Sequence, residues 1–452
     1  MRLRVLWANN MKTPICDFVK EYAQSSVLKL HMPGHKGKEF LGFESFDITE
    51  IDGADSLYEA DSIIAESEAN ASEIFECDTY YSTEGSSQCI RAMMYLIMLH
   101  AKNKGEKPLI WAGRNAHKAF HSAVALLDID VEWICPPDAN NYLSCNLTAD
   151  YLSQIIEKTD RKPTAVYLTS PDYLGNILDI ESIAKVCHQN GVLLLVDNAH
   201  GAYLKFLEKS LHPIDLGADI CCDSAHKTLP VLTGGAYLHL SKKFADEMGD
   251  KVKNALALFG STSPSYLILQ SLDMANNYLE NYSERLSKYI LKVDFLKKQL
   301  TKNGYELYGN EGIKITIQAK KYGYYGYEFA KIFAEQGIVC EFCDPDVVVL
   351  MLTPEIENLD EIERIMISIP KRNPINEKML TFKMRQRSVP IREAILAPFE
   401  VLPIEKCLGR VVAMTSVGCP PAVPIVVAGE LIDENVISCF EYYGINKCNV
   451  IK

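Results

Sequence analysis

Short apolar runs alternate with amphipathic stretches between about residues 80 and 240. We predict strands at PLIWAG (108–113), VEWIC, AVYLTS (165–170), VLLLVDNA (192–199) and ADICCDS (218–224), with helices such as HKAFHSAVALLD and DIESIAKVCHQNG between them. Strands that read as nearly continuous apolar runs and alternate with helices indicate an α/β fold with a mostly parallel sheet covered on both faces. In such sheets ligands bind beyond the carboxyl ends of the strands.

A second pattern follows a long, proline-free helical stretch at 272–303, which we predict to be one helix that connects two domains. Beyond it come the predicted strands IKITIQA, IVCEFC and DVVVLMLT, the helices GYEFAKIFAEQG and NLDEIERIMISI, and the proline-rich tail GCPPAVPIVVAGELI (418–432). We therefore predict an N-terminal segment at 1–30, a large domain at 31–303 and a smaller α/β domain at 304–452.

Composition excludes several classes of protein. The net charge of −13 argues against a nucleic-acid partner, which a basic face would attract. No apolar run reaches the ~20 residues of a membrane span, and MRLRVLWANN lacks the apolar stretch of a signal peptide. The 14 cysteines include one C-x-x-C spacing, Cys340 and Cys343, without a second pair, so we expect reduced core thiols and no metal. The composition is that of a cytoplasmic protein.

An acid and an amine follow two of the predicted strands. Asp197 comes directly after VLLLV, and Lys227 follows the next strand within SAHK, beside Ser224 and His226. At one edge of a parallel sheet, the acid would suit the ring nitrogen of a pyridine cofactor and the amine its aldehyde. The alternatives are a helix-capping aspartate and a surface lysine.

Two further junctions complete the pattern. STEGSSQ (82–88) places Gly85, Ser86 and Ser87 before a helix, which is typical of an anion site but also of an ordinary N-cap. GRNAHKA (113–119) places His117 where an imidazole can stack on a flat ring or simply support the fold. The conjunction of all four features at successive strand ends favours a bound cofactor.

Several motifs resemble, in order, the Orn/Lys/Arg decarboxylase family of bacterial pyridoxal-phosphate enzymes. The resemblance covers roughly residues 13–440, and it is carried by KLHMPGHKGK (29–38), STEGSSQ, GRNAHK, VDNAHGA (196–202), DSAHKTLPVLTGGAYLH (223–239), GSTSPSYLILQSLD (260–273) and CPPAVPIVVAGELI. It implies pyridoxal 5'-phosphate as cofactor, the aspartate-aminotransferase-like fold (fold type I) with a seven-stranded large-domain sheet, and a homodimer with active sites at the subunit interface.

The resemblance also implies roles for individual residues. Lys227 would be the Schiff-base lysine, Asp197 would pair with the pyridine nitrogen, and Ala199 and the stacked His117 would contact the ring. The groups that position the phosphate and ring would be Gly85, Ser86, Ser87, Ser224 and His226. Ser261 and Thr262 would reach the phosphate in the partner subunit, and Glu430 would lie near the substrate mouth. HMPGHKG would shape the substrate entrance. Lys227 and His226 are both candidates for the proton donor.

Two departures from the family pattern bear on assembly. Large members carry an N-terminal response-regulator-like wing, whereas HMPGHKG begins here at residue 31, so we expect a wingless short form that assembles as a dimer or a dimer of dimers. Ala422 stands where the family more often has glycine. Residues 1–10 precede a natural-looking start at Met11 and are open to interpretation as a tag or an overlong gene prediction.

The expected reaction is decarboxylation of arginine, lysine or ornithine to agmatine, cadaverine or putrescine, with arginine preferred and polyamine supply as the role. An aminotransferase or carbon–sulfur lyase of the same fold is the alternative. An aminotransferase would need an arginine for the α-carboxylate, and the candidates are Arg364, Arg372, Arg385, Arg387, Arg392 and Arg410. A catalytically inactive regulatory homologue is a third hypothesis, but it predicts erosion of the site residues, and none is eroded.

Overall fold

The structure is a computed structural model that describes residues 11–137, 141–377, 386–414 and 421–452. Residues 1–10, Arg385 and the start of the tail motif lie outside the described residues. The chain divides into two compact units. The first comprises residues up to 96 together with 201–286, and the second comprises 97–200 together with 287–452.

The described residues form three sheets. The strands are β1 Asp78–Ser82, β2 Leu109–Gly113, β3 Asp130–Ile134, β4 Ala165–Thr169, β5 Leu193–Asp197, β6 Ile220–Asp223, β7 Ala236–Leu240, β8 Leu307–Tyr308, β9 Lys314–Gln318, β10 Phe342–Cys343, β11 Val347–Met351, β12 Phe399–Pro403, β13 Val412–Met414 and β14 Lys447–Ile451. The seven-stranded sheet has the order β1-β7-β6-β5-β4-β2-β3, and the smaller sheets have the orders β10-β11-β9-β8 and β12-β14-β13.

The predicted α/β class and the mostly parallel sheet are confirmed. Strand β2 pairs in parallel with β3 and β4, and β4 pairs in parallel with β5, whereas β7 runs antiparallel to both β1 and β6. Val166 lies opposite Leu194 in the β4–β5 register, and both side chains are fully buried. Burial on both faces explains why these strands read as continuous apolar runs, since each such side chain stabilises the fold by about 1.5–3 kcal/mol.

Helices separate the strands in both units. They are α1 Pro14–Gln24, α2 Ile63–Phe75, α3 Ser86–Asn103, α4 Lys118–Leu127, α5 Ala149–Glu157, α6 Ile180–Gln189, α7 Ala225–Thr228, α8 Lys242–Met248, α9 Val252–Ala257, α10 Tyr266–Leu279, α11 Tyr282–Lys302, α12 Ala319–Tyr322, α13 Gly326–Glu335, α14 Leu359–Ser368, α15 Ile391–Leu396 and α16 Glu434–Tyr442. Helix α6 shows the usual amphipathic pattern: Ile180, Ile183, Ala184 and Cys187 are its buried face.

Two predicted elements differ from the structure. The single helix predicted for 272–303 is wrong, because α10 ends at Leu279 and α11 begins at Tyr282, with Asn281, a residue of low helix propensity, at the break. The predicted strand IVCEFC is reduced to the two residues of β10. Val339 in that run is 91% exposed, so its apolar side chain gains no burial that would extend the strand.

None of the helices in the described residues is both long enough and apolar enough to cross a membrane.

Candidate active site

In the first unit, a glycine turn leads from β1 into the N-terminus of α3. Gly85 has a left-handed φ of +70°, and its N–H donates to the carbonyl of Gly234 at 2.7 Å. Ser86 is buried and Ser87 is half-buried in the first turn of the helix. No described residue accepts a hydrogen bond from the backbone N–H of Ser86 or Ser87. Such N–H groups at a helix N-terminus are suited to an anion.

Gln88, which the sequence analysis did not identify, supports this turn through its side-chain hydrogen bonds. Its side chain is fully buried, and its Oε1 accepts a hydrogen bond from the Ser82 hydroxyl at 2.5 Å. Its Nε2 donates to the Tyr58 hydroxyl and to the carbonyl of Leu256, both at 2.8 Å. The signal in the sequence was its position, because Gln88 is the last residue of the STEGSSQ motif and an amide that becomes buried needs hydrogen-bond partners.

The turn packs tightly against the glycine pair that precedes β7. Gly234 has a φ of +101°, and a Cβ placed on it would lie 2.8 Å from the backbone oxygen of Thr83. That approach is too close for any side chain, and the φ value is one that residues with a side chain rarely adopt. Glycine at position 234 therefore allows the STEGSSQ turn and the loop after Lys227 to lie against each other.

We expect Gly234→Ala to displace the Thr83–Gly85 turn, weaken cofactor binding at least tenfold and destabilise the protein by about 1–3 kcal/mol. Gly105→Ala is the matched control, because Gly105 also has a positive φ of +72° but has no atom within 4 Å of the added Cβ. Cofactor titration and urea unfolding measure both effects. Equal cofactor affinity in the two variants would contradict this account.

The candidate nucleophile lies on the short helix α7, directly after β6. Ser224 donates from its Oγ to Ser86 Oγ at 2.8 Å, which joins this loop to the glycine turn. The N–H of Lys227 donates to the carbonyl of Ser224 at 2.9 Å. His226 Nδ1 lies 3.0 Å from the carbonyl of Gly235, and Lys227 is half-buried. The structure thus brings together the predicted residues Gly85, Ser86, Ser87, Ser224, His226 and Lys227 within one unit.

A buried charge that the sequence did not reveal lies immediately before this loop. Asp223 Oδ2 is 3.2 Å from Nε2 of both His212 and His239, and all three side chains are fully buried. Burial alone would raise the pKa of Asp223, but the two imidazoles hold it below its ordinary value. The Nδ1 of His239 is also hydrogen-bonded, at 3.0 Å, to the Thr79 hydroxyl. These contacts fix the end of β6. They therefore also fix the start of the segment that carries Lys227, which we call the lysine loop.

In the second unit, Asp197 is the last residue of β5 and is 2% exposed. Its Oδ2 accepts a hydrogen bond from the Tyr167 hydroxyl at 3.1 Å, and its Oδ1 accepts one from the N–H of Ala199 at 3.2 Å. Ala199 is itself buried. Because buried carboxylates are costly without partners, these two donors hold the carboxylate in a defined orientation.

His117 caps the N-terminus of α4. Its Nδ1 accepts a hydrogen bond from the N–H of Ala119 at 3.1 Å, and the ring is half-buried. The N–H of Lys118, the first residue of α4, donates to the carbonyl of Ala422 at 2.9 Å. Ala422 has a left-handed φ of +56°, a conformation that glycine adopts more readily than alanine.

Glu430 is 1% exposed and forms an ion pair with Arg114, which the sequence reasoning did not single out. Glu430 Oε2 accepts hydrogen bonds from an Arg114 guanidinium N–H at 2.9 Å and from the N–H of Val427 at 2.8 Å. Arg114 also donates to the carbonyls of Pro424 and Ile425. Glu430 thus anchors the C-terminal tail through its ion pair with Arg114. Its expected role near the substrate stays a prediction.

Ser261 and Thr262 lie in the loop before α10, and both are exposed. Ser261 Oγ accepts a hydrogen bond from the N–H of Ser263 at 3.1 Å. A Cβ placed on the preceding residue, Gly260, would lie 2.2 Å from Gln88 Nε2, so this solvent-facing loop lies beside the STEGSSQ motif.

Pyridoxal phosphate fits the groups present in each unit. The first unit supplies the helix N-terminus for a phosphate, two serine hydroxyls and the half-buried amine of Lys227. The second supplies the buried, oriented carboxylate of Asp197, which suits a protonated pyridine nitrogen. These are the donor and acceptor types that the cofactor requires.

Comparison with known proteins gives consistent results. The family model "Orn/Lys/Arg decarboxylase, major domain" matches residues 13–317. Arginine decarboxylases of Bacillus subtilis and Halalkalibacterium halodurans are each 27% identical over 94% of this chain and 92% of the relative. A lysine decarboxylase structure from Francisella novicida has a TM-score of 0.79 at 16% identity and covers 98% of this chain and 82% of its own. An alanine–glyoxylate aminotransferase from Nostoc sp. has a TM-score of 0.54 at 15% identity and covers 68% of this chain and 86% of its own.

The structural neighbours establish the predicted aspartate-aminotransferase-like fold type I. The family match extends from α1 through the glycine turn and the lysine loop to β9. The chain belongs to the Orn/Lys/Arg decarboxylase family, and it is a pyridoxal-phosphate-dependent enzyme that decarboxylates basic amino acids.

Proposed function

We propose that the substrate is arginine and that the products are agmatine and CO2. The observation that carries this choice is the match, over more than nine tenths of both chains, to two proteins named arginine decarboxylase. We further propose a role in polyamine supply, with agmatine as the product, and a cytoplasmic location. Lysine and ornithine are the competing substrates.

Lys227 and Asp197 have the two central roles in this proposal. Pyridoxal phosphate, when bound, supplies a ring that withdraws the electrons released as the bond to the carboxyl group breaks. Lys227 would hold the cofactor covalently through its amine, and Asp197 would keep the proton on the pyridine nitrogen. The hydrogen bonds from Tyr167 and Ala199 fix the carboxylate for that role before the substrate arrives.

Other residues hold the cofactor in place. We assign the phosphate to the N–H groups of Ser86 and Ser87, which have no protein acceptor among the described residues, with Gly85 and Ser224 shaping the turn. His117 would stack on the ring, and Ala199 would lie against it. His117 Nδ1 accepts a backbone hydrogen bond, which restricts the orientation of the imidazole.

His226 is our choice as the group that returns a proton to the substrate carbon, with Lys227 as the alternative. Its Nδ1 faces the carbonyl of Gly235, so the neutral imidazole carries its proton there. The second nitrogen, Nε2, is then the atom that can exchange a proton with the substrate.

A homodimer is the assembly that we propose. An apolar stretch near the HMPGHKG motif is strongly exposed, including Leu28 at 79%, Leu30 at 82% and Phe40 at 78%. Exposed apolar patches of this kind mark interaction sites. The exposure of Ser261 and Thr262 also leaves both hydroxyls accessible to the phosphate of a second subunit.

The structure offers little support for an aminotransferase. Of the six candidate arginines, Arg385 lies outside the described residues, and the other five make contacts within the protein. Those contacts are Arg364 to Glu361, Arg372 to the Tyr324 ring, Arg387 to the carbonyl of Val131, Arg392 to that of Ala125, and Arg410 to Glu400. An arginine committed to such contacts is less available to a substrate carboxylate.

The test is to supply the purified, cofactor-loaded protein with arginine, lysine and ornithine separately and to measure CO2 and the product amine. We expect arginine to give the highest kcat/KM, at least tenfold above the other two, with one CO2 released per agmatine formed. A preference for lysine or ornithine would overturn the proposed substrate. A keto acid without CO2 release would indicate transamination instead.

A further inference from the structure

A cavity of about 430 Å³ lies in the second unit, beside the β10–β11 turn and the segment that links α16 to β14. This volume is within the range of small-molecule sites. None of the residues predicted to bind the cofactor lines it. Its walls are unusually aromatic and include Tyr142, Tyr327, Phe342, Phe440, Tyr442 and Tyr443.

Two carboxylates, Asp344 and Glu441, line the cavity together with one lysine, Lys447. Asp344 Oδ1 accepts hydrogen bonds from the N–H of Asp346 at 2.8 Å and of Val347 at 2.9 Å. Within the part of the chain that the structure describes, nothing donates to Asp344 Oδ2. Burial raises the pKa of Asp344 to about 7, with a further increase from Asp346. A half-exposed carboxyl group thus lines the cavity with one oxygen available to a ligand.

The tyrosine rings around the cavity are arranged edge to face. The Tyr443 ring centroid lies 5.0 Å from that of Tyr142 and 4.9 Å from that of Tyr442, with interplanar angles of 68° and 87°. Aromatic faces attract cations, and Lys320 Nζ already lies 4.6 Å from the Tyr442 ring centroid. These walls suit a ligand that carries a positive charge on an apolar body.

We propose that this cavity binds a small organic cation, an ammonium or guanidinium group on an apolar body, with its charge on Asp344 and its body against the tyrosine rings. An anion would meet the carboxylates of Asp344 and Glu441. A neutral apolar ligand would leave Asp344 Oδ2 buried without a partner, which costs free energy. This site is independent of the proposed function, since it does not depend on which amino acid is decarboxylated.

The experiment is isothermal titration calorimetry of the cofactor-loaded enzyme with phenylguanidine and with its neutral isostere phenylurea. We expect phenylguanidinium to bind the wild-type enzyme and phenylurea to bind at least tenfold more weakly. Asp344→Asn should weaken phenylguanidinium binding at least tenfold, because the amide keeps an oxygen for the two N–H donors but loses the charge. Glu434→Gln, an exposed change on α16 that does not line the cavity, should bind like wild type.

Three results would overturn the proposal. They are no binding of phenylguanidinium to the wild-type enzyme, equal affinity for the cation and phenylurea, or unchanged affinity in Asp344→Asn. The comparison with Asp344→Asn separates this cavity from the cofactor site, because binding at that site would survive the substitution.

Discussion

Lys227→Ala should abolish amine production, lowering kcat by at least about 1,000-fold, with loss of the visible absorbance of the bound cofactor. The reason is chemical, because the methyl group of alanine cannot hold the cofactor's aldehyde. The loop itself should persist, since it is fixed by backbone and serine contacts that the substitution leaves in place. These include the hydrogen bonds from the residue 227 N–H to the carbonyl of Ser224 and from Ser224 Oγ to Ser86 Oγ.

Two further variants separate the role of the amine from that of its charge. Lys227→Arg keeps a positive charge but lacks a readily deprotonated amine, so we expect it to be as inactive as the alanine variant. Lys185→Ala removes an exposed lysine on α6 that pairs with Glu181, and it should leave kcat unchanged. Steady-state kinetics measure kcat for each variant, and an absorbance spectrum shows whether the cofactor is bound through the lysine. Amine production by Lys227→Ala at the wild-type rate would refute the assignment.

Glu430→Gln should lower the free energy of unfolding by about 3–5 kcal/mol. The substitution keeps the shape of the side chain but removes the negative charge of Glu430, which forms a buried ion pair with Arg114. The guanidinium is 3% exposed and would lose this partner, while the carbonyls of Pro424 and Ile425 and the face of Trp133 remain in contact with it. Removing one partner of a buried ion pair is strongly destabilising.

The matched control for this prediction is Glu400→Gln, which breaks the ion pair with Arg410. Those side chains are 40% and 32% exposed, so solvent already screens the pair, and we expect a loss below about 1 kcal/mol. Urea unfolding of the three proteins gives the comparison. A Glu430→Gln protein as stable as Glu400→Gln would show that the tail is not fastened by this ion pair.

The large sheet was predictable because its signal is local. Strands such as β4 and β5 are buried on both faces, so nearly every residue is apolar and the pattern is visible in a window of five positions. The resemblance to the family rested on equally local motifs, and these also located Asp197 at the end of β5 and Lys227 shortly after β6.

The buried polar partners were not predictable, because each depends on residues that are distant in sequence. Glu430 lies 316 positions from Arg114, and Ser224 lies 138 positions from Ser86. Asp223 appears in the sequence as one more residue of an apolar strand, and its two histidine partners give no pattern of their own. Only tertiary structure shows that these groups satisfy one another.

The break between α10 and α11 illustrates a different limit. Asn281 lowers helix propensity only slightly, and a weak preference of that kind is easily overridden by tertiary packing in either direction. No proline or glycine marks the position, so the pattern of residues 272–303 resembled one uninterrupted helix.

The most direct test of the central claim is to reduce the cofactor-loaded enzyme with sodium borohydride and to map the labelled peptide by mass spectrometry. Reduction makes the bond between a lysine amine and the cofactor permanent. This account predicts that the label is on Lys227, at close to one per chain. Label on a different lysine, or none after the cofactor is added in excess, would contradict it.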